Sequence, residues 1–366
     1  MKTTIKREDI LGPLQQVIGA VERRQTLPIL GNVLFKSTGG DITLTATDLE
    51  IEMVSKVNAG KSDDFQTTIP ARKLLDICKA LPESSAINFN IEDSRVSLTS
   101  ARSRFSLASL SARDFPGLDE IEELQSFSIP QNSFKELFDK TSFAMAQQDV
   151  RYYLNGILME ISSDKIKLVA TDGHRLALSE TSLDTGMDEE KQIIIPRKAV
   201  LELSRLLDSG DNPARCVLSQ NHFRVETDSL VFTTKLIDGK FPDYQRVIPV
   251  DGNKILEVDR EVLKNSMSRI AILSNEKYRG IRLTLTSSNL SIQANNPDQE
   301  EAEEELQVDY SEGDVEIGFN VTYLIDVLTV LDSAKVQVKL KDSNSSAIIS
   351  DSKDDSSLYV VMPMRL

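Results

Sequence analysis

The run Thr171-Asp172-Gly173-His174-Arg175 sets a carboxylate, an imidazole and a guanidinium within four residues, a group that could support general-base chemistry at His174. No nucleophile or metal partner is predictable beside it. The same place in the chain is taken elsewhere by Thr47-Asp48-Leu49-Glu50 and by Asn295-Asn296-Pro297-Asp298. Asp172-Gly173 therefore reads as a turn after a strand, and His174 as a residue that shapes a surface or pocket. The remaining sequence offers little else. It has two histidines in all and no Gly-rich phosphate loop, Cys-x-x-Cys, His-Glu-x-x-His or Gly-x-Ser-x-Gly. Cys78 and Cys216 stand on apolar stretches far apart, as buried thiols in a reducing compartment do, rather than as a disulfide or metal site. No metal and no cofactor is expected.

The elements that would position these residues occur three times. Ala46, Ala170 and Ala294 are each 124 residues apart and follow the similar runs Ile42-Thr43-Leu44, Ile166-Lys167-Leu168 and Leu290-Ser291-Ile292. A second mark recurs at Ile69-Pro70, Ile195-Pro196 and Ile317-Gly318, and Phe115-Pro116 returns as Phe241-Pro242. A period this long means domains, since solenoid units run about 20–50 residues. The expected division is 1–124, 125–252 and 253–366, each long enough to bury a core. Each repeat opens with a helical pattern: Ile10, Leu11, Leu14, Val17, Ile18 and Val21; Phe134, Leu137, Phe138 and Met145; Val262, Leu263, Met267, Ile270 and Ala271. A second helix is predicted around Leu74–Leu81, Val200–Leu207 and Tyr323–Leu331. Runs such as Arg95-Val96-Ser97-Leu98-Thr99 alternate with the period of half-buried strands. The expected class is α+β, with two helices per repeat packed on antiparallel sheet.

With 40% hydrophobic and 27% charged residues the chain reads as globular, and no apolar run approaches the ~20 residues of a membrane span. Met1–Glu8 lacks the apolar core of a secretory signal, which predicts a cytoplasmic protein. The formal charge of -15 is uneven: -3 over 1–124, -4 over 125–252 and -8 over 253–366. Asp298–Glu305 carries six acids in eight residues, whereas Arg95, Arg102 and Arg104 cluster in the first repeat. Opposite charges at opposite ends permit head-to-tail association; the acidic run could equally be a solvated strand or loop. Basic residues recur on the predicted helices as Arg72, Lys73, Lys79, Arg197, Lys198, Arg205, Lys264 and Arg269. If these helices line one surface, it is locally positive on a negative molecule.

The triplication, with Leu27-Pro28-Ile29-Leu30-Gly31-Asn32, Gln148–Gly156, Ala170–Leu176, Phe241-Pro242-Asp243-Tyr244 and the ending Tyr359–Leu366, closely resembles the bacterial DNA polymerase III beta subunits, the DNA sliding clamps. The likeness runs end to end. It implies a half ring of three domains that closes as a head-to-tail homodimer around duplex DNA, raising polymerase processivity without catalysis. Helices about 10 Å across would enclose a hole of roughly 20 Å if six stood side by side and nearly 40 Å if twelve did; only the latter admits a hydrated duplex.

By the same resemblance, Arg24, Arg72, Gln148, Tyr152 and Tyr153 would contact DNA, although either tyrosine could be a core aromatic. The joint would set Phe105 and Leu107 against Ile272 and Leu273, with Lys73, Arg102 and Arg104 facing Glu300, Glu301, Glu303 and Glu304. Peptides of the replicative polymerase, the clamp loader, other polymerases and repair proteins would enter an apolar cleft. Its implied walls are Leu154, Thr171, Gly173, His174, Arg175, Leu176, Pro242, Arg246, Val247, Tyr323, Ser346, Val360, Met362, Pro363 and Met364. Asn344 stands where the family leads one to expect an apolar pocket residue. Two other readings remain open here: an enzyme centred on Asp172, His174 and Arg175, and a peptide-binding scaffold that never encloses DNA.

Overall fold

The alternating runs form strands, and the runs spaced by three and four form helices, in a computed structural model that describes residues 1–22, 27–60, 62–118 and 121–365. One order of elements occurs three times among the described residues: strand, helix, four strands, helix, three strands. The α-helices are α1 (Arg7–Val17), α2 (Ala71–Ala80), α3 (Gln131–Thr141), α4 (Arg197–Leu206), α5 (Arg260–Ile270) and α6 (Val321–Val330). The three opening helices, α1, α3 and α5, each tighten into a 3-10 turn at Ile18–Ala20, Ser142–Ala144 and Ala271–Leu273. Val21 and Met145 thus fall beyond the helices on which their hydrophobicity placed them. Leu201 and Val262, also expected on buried stripes, are both 48% exposed. The reason is phase: the buried residues are Ala199, Val200 and Leu203 in α4, and Leu263, Ser266, Met267 and Ile270 in α5. Leu201 sits about 100° or more from each of its buried neighbours around the helix, and Val262, in the first turn of α5, about 90° from the centre of its stripe.

Contacts divide the chain into two compact units, Met1–Gln131 with Arg205–Leu236 and Asn132–Ser204 with Ile237–Leu366. The first unit holds a four-stranded antiparallel sheet in the order Lys2–Lys6, Ala86–Glu92, Arg95–Ser100, Ser103–Ala108. Its eight-stranded sheet runs Phe65–Pro70, Asn32–Thr38, Asp41–Thr47, Ile51–Val57, Leu230–Lys235, His222–Glu226, Pro213–Leu218, Gln125–Pro130. The second unit repeats this plan. Its eight strands run Lys191–Pro196, Gly156–Ile161, Lys165–Thr171, Arg175–Ser182, Ser357–Val361, Ala347–Asp351, Lys335–Leu340, Lys254–Asp259. Its four run Glu301–Gln307, Asn289–Asn295, Gly280–Thr286, Val315–Asn320.

The units follow the sheets, so the middle repeat contributes strands to both. The seams are Ile51–Val57 against Leu230–Lys235, with Met53 opposite Phe232, and Arg175–Ser182 against Ser357–Val361, with Leu176 opposite Val360. Each seam lets one sheet continue across two repeats and gives two edges a partner they would otherwise lack. Cys78 and Cys216 are buried and unbridged. Burial pushes the Cys78 thiol up to about 12 and raises that of Cys216 as well, so both are inert at neutral pH.

Candidate functional site

The turn after Lys165–Thr171 is built by side chains acting on backbone. Thr171 Oγ1 accepts from Gly173 N–H at 3.1 Å and donates to the Arg175 carbonyl at 2.6 Å. Asp172 Oδ1 accepts from the N–H groups of His174 and Arg175 at 2.9 and 3.0 Å. Gly173 has φ +89°, and an added Cβ would lie 3.1–3.2 Å from the Arg151 guanidinium. The same turn recurs at Thr47–Ile51, where Asp48 Oδ1 accepts from Glu50 and Ile51 and Leu49 takes φ 76°. Asp172 is therefore a turn-former, with its second oxygen on Arg175 Nε at 3.2 Å. The His174 ring lies nearly parallel to Tyr323 at 6.5 Å. This arrangement gives no support to the enzyme reading.

Arg175 ties the turn to two helices. Its guanidinium bonds Asp326 Oδ2 on α6 and donates to the Phe143 carbonyl just after α3 at 2.8 Å. It also stands over the rings of Tyr323 at 4.5 Å and Phe143 at 5.1 Å. The side chain is 11% exposed, so these charge-assisted and cation–π contacts act with little screening. Leu176, next along the strand, belongs to an apolar cluster that gathers Leu154, Leu176 and Val360 with Ala146, Leu158, Val169, Ile194, Phe241 and Tyr244. The three predicted residues are buried and form a floor.

Of the other residues expected on the cleft, Pro242, Arg246, Val247, His174 and Met362 are exposed, while Thr171, Gly173, Tyr323, Ser346, Pro363 and Met364 are half-buried. The chain end is pinned by Met362 N–H on the His174 carbonyl and Met364 N–H on that of Gly318, both at 2.9 Å. Asn344 points its backbone N–H at Asp342 in an exposed turn. Phe241 and Tyr244 were missed as site residues, although the recurring Phe-Pro pair marked their segment.

The loop before Leu154 carries three of the residues expected on DNA. Gln148, at φ 57°, and Tyr152, 57% exposed, face solvent. Tyr153 is half-buried and packs against the apolar cluster. The loop is braced by Asp149, which accepts from Arg151 Nε and Nη2 at 3.0 and 2.9 Å, while Asn155 closes it across Asp149's backbone. The Arg151 bonds hold the Asp149 carboxyl down at about 2. Arg72 is exposed on α2. Arg24 lies outside the described residues.

The residues expected at a joint lie on or beside two sheet edges, except Lys73 on α2 and Ile272 and Leu273 on the turn Ala271–Leu273. Ser103–Ala108 and Glu301–Gln307 are each the outermost strand of a four-stranded sheet. Lys73, Arg102, Arg104, Ile272, Glu300, Glu301 and Glu303 are exposed, and Phe105 and Leu273 half-buried. Two expectations change. Leu107 is only 9% exposed and belongs to its own core. Glu304 points to the opposite face from Glu303, because side chains alternate along a strand, and there it bonds Ser266 at 2.7 Å and the Arg269 guanidinium. Arg269, one of the basic residues expected on the helices, is thereby paired within the chain, and it holds the Glu304 carboxyl below its ordinary range.

Comparison with known proteins gives a consistent result over the whole length. The N-terminal, central and C-terminal domains of the DNA polymerase III beta subunit match residues 1–119, 128–243 and 245–365. The chain is 52% identical to the beta sliding clamp of Pseudomonas aeruginosa and 49% identical to that of Escherichia coli, in each case over all of both chains. It superposes with a TM-score of 0.97, at 52% identity and full coverage of both chains, on the solved Pseudomonas aeruginosa DnaN sliding clamp bound to griselimycin.

Proposed function

Because the chain belongs to the family of DNA polymerase III beta subunits, the bacterial sliding clamps, we propose that it closes as a head-to-tail homodimer around duplex DNA and tethers the replicative polymerase there. The two outermost strands of opposite charge carry this reading. Arg102 and Arg104 flank or lie on one edge, and Glu301 and Glu303 lie on the other. Each edge is complementary to the other on a second copy, and a contact that closes after two subunits leaves no free end.

Holding DNA by topology needs little affinity, since every added phosphate contact strengthens salt-sensitive sticking. Arg24, Arg72, Gln148 and Tyr152 would supply a few sequence-independent contacts on an otherwise acidic protein. The floor of Leu154, Leu176 and Val360, with its exposed rim, would take apolar peptides from polymerases, the clamp loader and repair proteins. A tether raises the effective concentration of the enzyme at the primer end and needs no catalytic group. No helix among the described residues is long and apolar enough to cross a membrane, which suits a cytoplasmic site of action.

The test is retention on DNA. Protein loaded by a clamp loader on nicked circular plasmid should survive high salt and be lost when the plasmid is linearised. Release by salt alone would leave only a peptide-binding scaffold.

A further inference from the structure

The rim of the cleft formed by Pro242, Arg246 and Val247 belongs to segment 237–250, which lies over the sheet by a few defined attachments. Ile237 N–H donates to the Ile194 carbonyl at 2.9 Å, the Phe241 ring is buried in the apolar cluster, and the Tyr244 ring is buried beside it. Tyr244 adds a polar bond, for its hydroxyl donates to Glu160 Oε2 at 2.7 Å. Glu160 stands on Gly156–Ile161, the strand that leads out of the cleft floor. Its other oxygen accepts from Gln192 Nε2 on one neighbouring strand at 2.8 Å, and Lys167 on the other neighbour lies 3.8 Å from Oε2. The carboxylate is 12% exposed. It is an acceptor fixed from three sides.

Burial, and after it the bond to Glu160, pushes the Tyr244 hydroxyl above its ordinary range, so it remains a donor. The position of Tyr244 in the chain makes the bond consequential. It opens the 3-10 turn Tyr244–Val247, in which side chains three apart eclipse. Val247 at the rim therefore stands over Tyr244, and Arg246 is carried on the same turn.

We propose that Tyr244 and Glu160 are a positioning pair: the bond between them sets the height of the rim above the floor and with it the affinity of the cleft. This rests on the reading of the cleft given above. Neither residue needs to touch the bound peptide.

Griselimycin, held by the Pseudomonas aeruginosa clamp, serves as the probe, titrated calorimetrically into the full-length protein. Tyr244→Phe keeps the ring and removes the hydroxyl, and should weaken binding about tenfold, the scale of one net hydrogen bond. Glu160→Ala should do the same. Glu160→Gln keeps an amide oxygen that still accepts the phenol proton and should restore binding to within about threefold, which a general loss of stability would not do. Binding by Tyr244→Phe within about twofold of the parent overturns the proposal, as do equal losses for Glu160→Gln and Glu160→Ala. Should Tyr244→Phe fail to fold, the two Glu160 variants decide. If the parent itself does not bind griselimycin, the cleft reading fails and the positioning pair falls with it.

Discussion

Arg175 joins three parts of the second unit through one planar cation: the turn through Asp172, α6 through Asp326 and Tyr323, and the end of α3 through Phe143. A lysine in its place would keep a charge but lose the fork and the stacked plane. Arg175→Lys should therefore weaken griselimycin binding about tenfold and lower unfolding stability by about 2 kcal/mol, within the range for a lost cation–π contact and a charge-assisted bond. Calorimetry and urea unfolding read the two effects; unchanged binding would mean the hub does not support the cleft. At this scale the segment 171–175 was legible because Thr-Asp-Gly has a local turn chemistry. The bond between Glu160 and Tyr244 was not, because nothing at either position points to a partner 84 residues away.

Elements obey a tighter geometry than single residues. Gly156 begins a strand that pairs with Lys191–Pro196, and a Cβ there would lie 2.5 Å from the Ile195 carbonyl oxygen. That oxygen belongs to the paired strand backbone and cannot turn aside as a side chain would. Gly156→Ala should cost about 2 kcal/mol or more by overpacking, seen as an earlier urea midpoint, whereas an unmoved midpoint would show that the two strands can separate locally. The helices were readable from their spacing, yet hydrophobicity alone put Leu201 and Val262 on the wrong face. The buried face is set by the phase of the whole stripe, and a single apolar residue off that phase stays in water.

For the whole molecule the net charge of -15 is less informative than where charges lie along edges. Arg104→Glu should turn the proposed dimer into monomer by placing like charges across the joint, and Glu303→Lys should do so from the other side. The double variant carries both reversed partners and should associate again, because each joint in a head-to-tail pair uses one edge from each copy. Sedimentation at low micromolar concentration distinguishes the cases. If Arg104→Glu remains fully dimeric, the joint does not run through this edge. Glu304 is unsuited to such a test, since its charge is already engaged by Arg269 within the chain.

The sequence by itself determined the threefold plan, the two α-helices of each repeat, the turn at 171–175 and the buried cysteines. The plan follows from a repeat of 124 residues, and the rest from periods, turn chemistry and apolar surroundings that act over a few residues. Only the tertiary structure decided that Ile51–Val57 joins Leu230–Lys235 and that Arg175–Ser182 joins Ser357–Val361, so that the middle repeat contributes to two sheets. It also decided which of the predicted cleft residues are buried and which are exposed. A period of two makes a strand but is the same for every partner; the partner is fixed by which complementary edge remains open once the rest of the chain has packed.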